Sequence, residues 1–186
     1  AVLGRSAKLL DHAPNPSLLC VARAGAGYNN IPVEDYAAKG VVVFNTPGAN
    51  ANSVKELVVC AMLVASRNVI EGAEWVRSIR DSETIEKDVE KGKKQFVGCE
   101  ISGKKLGIIG LGAIGRQVAR IAQALDMQVV YYSTTGCHHT TDFEEVSLDE
   151  MLRRSDVVTI HAPMTDRTRG LIGPSELRRM KPTAFL

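Results

Sequence analysis

The chain has 186 residues, 45% hydrophobic and 24% charged, with a formal net charge of +2. This composition excludes intrinsic disorder, because the apolar content can offset the entropy of ordering. The near-neutral balance gives no electrostatic reason to expect nucleic acid or a membrane surface as partner. Four cysteines, at 20, 60, 99 and 137, form no CxxC pair. That argues against a metal site or a disulfide scaffold and for a reducing, cytoplasmic setting.

In chain order, Val2-Leu3 fits the end of a buried strand, and 11–16 is a turn. The apolar run 18–22, closed by Gly25 and Gly27, reads as a second strand. Pro32 and Gly40 bracket a short helix over 32–39. The β-branched and aromatic run 41–44 is a buried strand. After a turn at 45–48, Ser53-Val54-Lys55-Glu56 fits a capping box that opens a helix reaching about residue 68. This helix is apolar nearly all round, which predicts burial between two layers or two subunits. Residues 71–94 mix charges of both signs, as a solvated helix or connector does, with Trp75 as an anchor.

From Gly103 the pattern alternates. Strands are expected at 106–109, 128–132 and 156–161, with another beginning at Thr183. Helices are expected at 112–127, 147–154 and 176–180. In the first of these, Ile114, Val118, Ile121, Ala122 and Leu125 share one face. Such alternation predicts an α/β fold with a parallel sheet and right-handed crossovers. The expected division is a partial substrate lobe over 1–47 and a nucleotide lobe over 48–186. The chain starts at Ala1 and stops in the apolar run 183–186, so it reads as a piece of a longer protein.

The motif with most chemical content is Gly110-Leu111-Gly112-Ala113-Ile114-Gly115. It follows a strand and opens a helix, the context in which GxGxxG signals a dinucleotide cradle. Gly110 permits a tight turn, Gly112 lets a pyrophosphate approach the backbone, and Gly115 lets helix and strand pack closely. About 20 residues on, an acidic residue should meet the adenosine ribose. Ser133 occupies that position, and no Arg or Lys adjoins it, so NAD is the expected cofactor. Arg23-Ala24-Gly25-Ala26-Gly27 is a second glycine-rich turn after a strand, and Arg5 ends the first strand. Two strand-end arginines suit a small anionic substrate, although either fits a surface ion pair equally well. His161 reads as a structural strand-end residue. No residue of the chain is expected to be catalytic, and no metal site is expected.

Four segments, in this order, carry a specific resemblance: the 23–30 run Arg-Ala-Gly-Ala-Gly-Tyr-Asn-Asn, the 45–50 run Asn-Thr-Pro-Gly-Ala-Asn, the glycine motif through Arg116, and His161-Ala162-Pro163. The chain resembles the D-2-hydroxyacid dehydrogenase family over essentially its whole length. The resemblance implies a Rossmann-type doubly wound parallel sheet plus a partial flavodoxin-like substrate lobe. It implies that Ala113 and Ile114 contact the pyrophosphate, Ser133 the ribose, and Ala162 and Pro163 the adenine side, with Ala26 near the nicotinamide. Arg5, Arg23, Gly25 and Asn50 would surround the substrate. The helix beginning near Ser53 would form a homodimer or a higher homo-oligomer. The activity implied for the longer protein is oxidation of 3-phospho-D-glycerate, with glycerate or hydroxypyruvate chemistry as the alternative. The sequence Tyr132-Ser133-Thr134-Thr135 favours that alternative, and the two arginines favour the phosphorylated substrate. The family's catalytic Arg, Glu and His would follow the strand at Thr183, beyond residue 186. A non-catalytic NAD(H)-sensing module is the reading from another class.

Overall fold

Two parallel sheets carry the chain, one in each of two units, Ala1–Val54 and Lys55–Leu186. The computed structural model describes residues 2–4, 16–28, 30–135 and 142–186.

In the first unit, β1 (Val2–Gly4), β2 (Cys20–Arg23) and β3 (Val42–Asn45) lie side by side in that order, all parallel. Helix α1 (Val33–Ala38) crosses from β2 to β3. Its Tyr36 is buried with Val21, Ile31 and Val41 in one apolar cluster. Gly40 ends the helix at φ +73°, a conformation that Gly reaches without a Cβ penalty. β2 starts two residues later than the apolar run does. Leu18 and Leu19 precede it, Leu19 with its side chain exposed and its carbonyl accepting the Val42 N–H at 3.0 Å.

Helix α2 (Ala51–Ser66) spans the division between the units. It begins two residues before the expected cap. Ser53 lies inside the first turn, so the capping box is not formed; the Asn50 carbonyl accepts the Val54 N–H at 3.1 Å. Nor is α2 buried all round. Met62 and Ser66 are buried, with Val58 and Val59 packed on the core, but Leu57 is 69% exposed and Leu63 40%. Helices α3 (Val69–Ser78) and α4 (Ile85–Gly92) follow, both without buried residues, as their mixed charge implies. The Trp75 ring meets Phe96 at a centroid distance of 5.2 Å. A Cβ at Gly92 would fall 2.1 Å from that indole, so the glycine lets α4 lie against Trp75.

The second sheet has the order β6-β5-β4-β7, all parallel: β4 (Lys105–Ile109), β5 (Gln128–Tyr132), β6 (Glu144–Glu145) and β7 (Val157–Ile160). Phe185 extends it with a parallel bridge to Val157, where the Thr183 strand was expected. α5 (Ala113–Ala124) links β4 to β5, and α6 (Leu148–Arg154) links β6 to β7. The chain leaves β4 on one side, then returns to pair with it on the other. Each face has its own core. On one, Val118, Ala119 and Ala122 of α5 pack with Ile108 and Tyr131. On the other, Met151 and Leu152 of α6 pack with Ile109, Val130 and Val158. Leu106, Ile108 and Ile109 are wholly buried, as a strand covered on both faces requires. Ser147 caps α6 by accepting the Glu150 N–H at 3.2 Å. Helix α7 (Pro174–Leu177) starts two residues before the expected 176–180 and is shorter, because Pro174 opens it and the Glu176 carboxylate accepts the Gly173 N–H at 3.1 Å.

Candidate functional site

A parallel sheet entered by crossovers on both faces opens a crevice where the chain reverses direction, at the carboxyl ends of its central strands. Here that place lies between the segments that follow β4 and β7. A cavity of about 600 Å³ occupies it. Gly110, Leu111 and Gly112 form its floor, Ser133 to Thr135 one wall, and His161 to Pro163 with Thr165 to Thr168 the other. Of the residues singled out in the sequence, Gly110, Gly112, Ser133, Ala162 and Pro163 therefore meet in one place.

The glycines divide the work. Gly110 has φ +92°, and a Cβ there would fall 2.8 Å from the Ala162 N, so the β4 and β7 segments could not approach each other. At Gly115 a Cβ would fall 2.2 Å from the Gly110 carbonyl oxygen; this position seats α5 against β4. At Gly112 nothing lies within 4 Å of where a Cβ would stand. No packing demand explains that glycine. The open space fits a ligand that presses on the backbone, and the first-turn amides of α5 offer it hydrogen-bond donors. No side chain caps α5 and no acidic residue sits in its first turn. A dinucleotide pyrophosphate fits this cradle. Ala113 is exposed at the helix start and the Ile114 side chain packs on the core; neither residue lines the cavity.

The walls are braced. Gly110 N–H donates to the Tyr132 carbonyl at 2.9 Å, and His161 N–H to the Ile109 carbonyl at 2.8 Å. The His161 ring nitrogen Nε2 lies 3.0 Å from Thr159 Oγ1. Burial holds this imidazole below its ordinary range, so it is neutral at pH 7. Thr168 Oγ1 donates to the Pro163 carbonyl at 2.6 Å and accepts the Thr165 N–H at 2.7 Å, which curls the segment after Pro163. Leu111, the hydroxyls of 134, 135, 165 and 168, and Arg167 are cavity residues that motif reading missed. Thr165-x-x-Thr168 was the available signal, since hydroxyls at that spacing bond their own backbone.

The remaining candidates belong to the first unit, apart from Arg5, which lies outside the described residues. The turn after β2 is tied to the end of β3. Gly25 N–H donates to Thr46 Oγ1 at 2.8 Å, Thr46 N–H to the Gly25 carbonyl at 3.1 Å, and Asn45 Nδ2 to the Ala26 carbonyl at 2.9 Å. Arg23 Nε donates to the Gly27 carbonyl at 2.9 Å, so this guanidinium braces its own loop. Among the described residues the Ala26 and Gly27 amides have no partner. Asn50 stands exposed just before α2. Among the described residues no cluster of His, Cys, Asp and Glu could hold a metal, and no helix is long and apolar enough to cross a membrane.

A doubly wound sheet with an open glycine cradle at its reversal point defines a dinucleotide-binding α/β protein. Residues 59–186 match the D-isomer specific 2-hydroxyacid dehydrogenase NAD-binding domain, and the chain belongs to that family of oxidoreductases. It is 39% identical over 181 residues to a glyoxylate reductase of Aeropyrum pernix, covering 96% of this chain and 52% of that one. A D-3-phosphoglycerate dehydrogenase of Methanocaldococcus jannaschii is 36% identical over 173 residues, 91% of this chain and 31% of the other. Among solved structures, the holo form of Rhodotorula graminis D-mandelate dehydrogenase superposes with a TM-score of 0.77 at 31% identity, over 96% of this chain and 52% of that one. The chain spans about half the length of the glyoxylate reductases it matches.

Proposed function

We propose that the whole protein is an NAD-linked D-2-hydroxyacid dehydrogenase acting on a small unphosphorylated 2-oxo acid of the glyoxylate or hydroxypyruvate type. The observation that carries the dinucleotide part is Gly112, a glycine with empty space above it at the start of a helix without a side-chain cap. In this reading, Gly110, Gly112, Ala113, Ile114 and Gly115 hold the pyrophosphate, Ser133 the ribose, and Ala162 and Pro163 the adenine side. When bound, NAD supplies the hydride chemistry. The chain's own contribution is positioning, which lowers the barrier by fixing the reactants in place.

Residues 1–47 serve as the substrate lobe. The Ala26 and Gly27 amides receive the substrate carboxylate, with Arg5, Gly25 and Asn50 around it. The Arg23 bond to the Gly27 carbonyl favours a bracing role over a phosphate-binding one. The 39% identity to a glyoxylate reductase points the same way. The second reading, 3-phospho-D-glycerate oxidation, draws its support from the 36% identity to a D-3-phosphoglycerate dehydrogenase. Steady-state kinetics of the whole protein separate them. On the first reading Arg23→Ala lowers kcat/KM alike for glyoxylate and for 3-phosphohydroxypyruvate. A loss confined to the phosphorylated substrate would select the second.

The exposed Leu57 and Leu63 of α2 give the protein an apolar helix face, and we propose that a second copy covers it.

A further inference from the structure

We propose that Asn45 and Thr46 are positioning residues that aim the Ala26 and Gly27 amides at the carboxylate of the substrate. This rests on the reading that those two amides receive the carboxylate, and it adds what points them there.

The turn after β2 is tied by its carbonyls. The Gly25 carbonyl accepts the Thr46 N–H at 3.1 Å, and the Ala26 carbonyl accepts Asn45 Nδ2–H at 2.9 Å. Among the described residues no peptide bond is cis. A planar trans unit sends its C=O and its N–H to opposite sides. Holding the Gly25 carbonyl toward Thr46 therefore turns the Ala26 N–H away from it. Holding the Ala26 carbonyl toward Asn45 does the same to the Gly27 N–H. Asn45 ends β3 and Thr46 follows it, so both carbonyls turn to one strand end and both amides turn from it. Neither amide has a partner among the described residues. Successive N–H groups on one side of a turn form an anion-binding concavity.

Thr46 grips Gly25 a second time, because its Oγ1 accepts the Gly25 N–H at 2.8 Å. Gly25 stands at φ +147°, which glycine reaches without a Cβ penalty. So free a residue needs outside ties to keep one conformation, and Thr46 supplies them from both of its polar groups. Arg23 Nε occupies the next carbonyl, that of Gly27, at 2.9 Å. A brace that only closed the turn could use amides and carbonyls alike. Here the carbonyls of 25, 26 and 27 are all occupied, and the amides of 26 and 27 are left for a ligand. A carboxylate takes such donors in charge-assisted bonds.

The probe is oxamate, a carboxylate that accepts no hydride. It is titrated into the whole protein, saturated with NADH and labelled with nitrogen-15 at Ala and Gly. The Ala26 and Gly27 amide resonances should move downfield as these groups begin to donate. In steady-state kinetics, Thr46→Val should raise the glyoxylate KM and the oxamate inhibition constant alike by about tenfold, one lost hydrogen bond to a charged group. Its kcat should stay at the wild-type level, because the carboxylate is held equally in ground and transition states. Thr46→Ser returns the hydroxyl and should restore both constants. Asn45→Asp sets oxygen against the Ala26 carbonyl and should raise both. Thr46 is exposed, so its loss opens no cavity, and melting curves check each variant. A purely structural tie would lower the melting temperature and leave both constants at wild type, which overturns the proposal. So would a Thr46→Ser variant that restores neither constant. The resonance measurement uses the unmutated protein, so it decides even where a variant fails to fold: oxamate inhibition with unmoved Ala26 and Gly27 amides would overturn the proposal. Amides that shift in a protein that reduces no glyoxylate would overturn the activity reading and support this one. Glyoxylate reduction with unmoved amides would do the reverse.

Discussion

Gly112 and Gly115 stand three residues apart and answer to different forces. At Gly115 a methyl group would press on a backbone oxygen that cannot move away. Gly115→Ala should therefore cost about 1–3 kcal/mol of stability, the range for overpacking, readable as a lower denaturation midpoint. The Cβ that Gly112→Val adds has no protein atom within 4 Å. This variant should keep the wild-type midpoint yet lose at least tenfold in NADH affinity, because the side chain takes the ligand's space. His161 supplies a pH test. Its folded value is depressed by burial, so the unfolded chain binds more protons at mildly acidic pH. The stability that His161 contributes is complete above the ordinary imidazole value of 6.5 and is lost as pH falls below it. Denaturation from pH 7.5 to 5 should show this slope, reduced in His161→Gln. At this scale the glycine motif was legible, because each glycine's task is local, and counting on from it leads to Ser133, which lines the cavity. Arg167 was not legible. Its place depends on side-chain bonds from Thr168 that leave no periodic trace.

Most elements with a hydrophobic period were read to within two residues; α5 ends at Ala124, three residues before the expected 127, with Asp126 at φ +59° just beyond it. β5 falls on 128–132 as expected, and Ser147 caps α6. The misreadings have physical causes. Ser53 with Glu56 matches a capping box in letters, but the turn over 46–50 lets α2 begin at Ala51. The apolar circumference of α2 predicts burial, yet one face alone meets the core of this chain. If a second copy covers the other face, Leu57→Glu and Leu63→Glu should each convert a dimer to monomers in sedimentation, with circular dichroism unchanged. Beside β4, Asp156 accepts the Lys105 N–H and the Lys181 ammonium, each at 2.8 Å. Burial works against its charged form, but these two donors hold the carboxyl below the ordinary value of 3.8. Stability from this clamp is present above that value and lost as pH falls through the depressed one. Asp156→Ala should cost about 1–3 kcal/mol at pH 7 by leaving the amide and the ammonium without their acceptor.

For the whole molecule, composition implied only an ordinary water-exposed chain, and its +2 charge named no partner. The order of strands added the decisive fact: β5 and β7 flank β4, so the loops after these strands share one cavity. The strand–helix alternation announced a parallel sheet. Which strands would neighbour one another was not legible, because pairing is a long-range choice that no local pattern records. The charged 71–94 region separates two α/β patterns in the sequence. The structure keeps it helical and exposed. The cavity beside β4 predicts that this chain carries a formed dinucleotide site of its own. Calorimetric titration of NADH into the 186-residue chain tests it most directly. The site predicts one NADH per chain and, at a hundredfold excess over Kd, stabilisation of about 2.7 kcal/mol. Gly112→Val should abolish the heat signal while melting at the wild-type temperature. A cooperatively folded chain that takes up no NADH at millimolar concentration would contradict the claim.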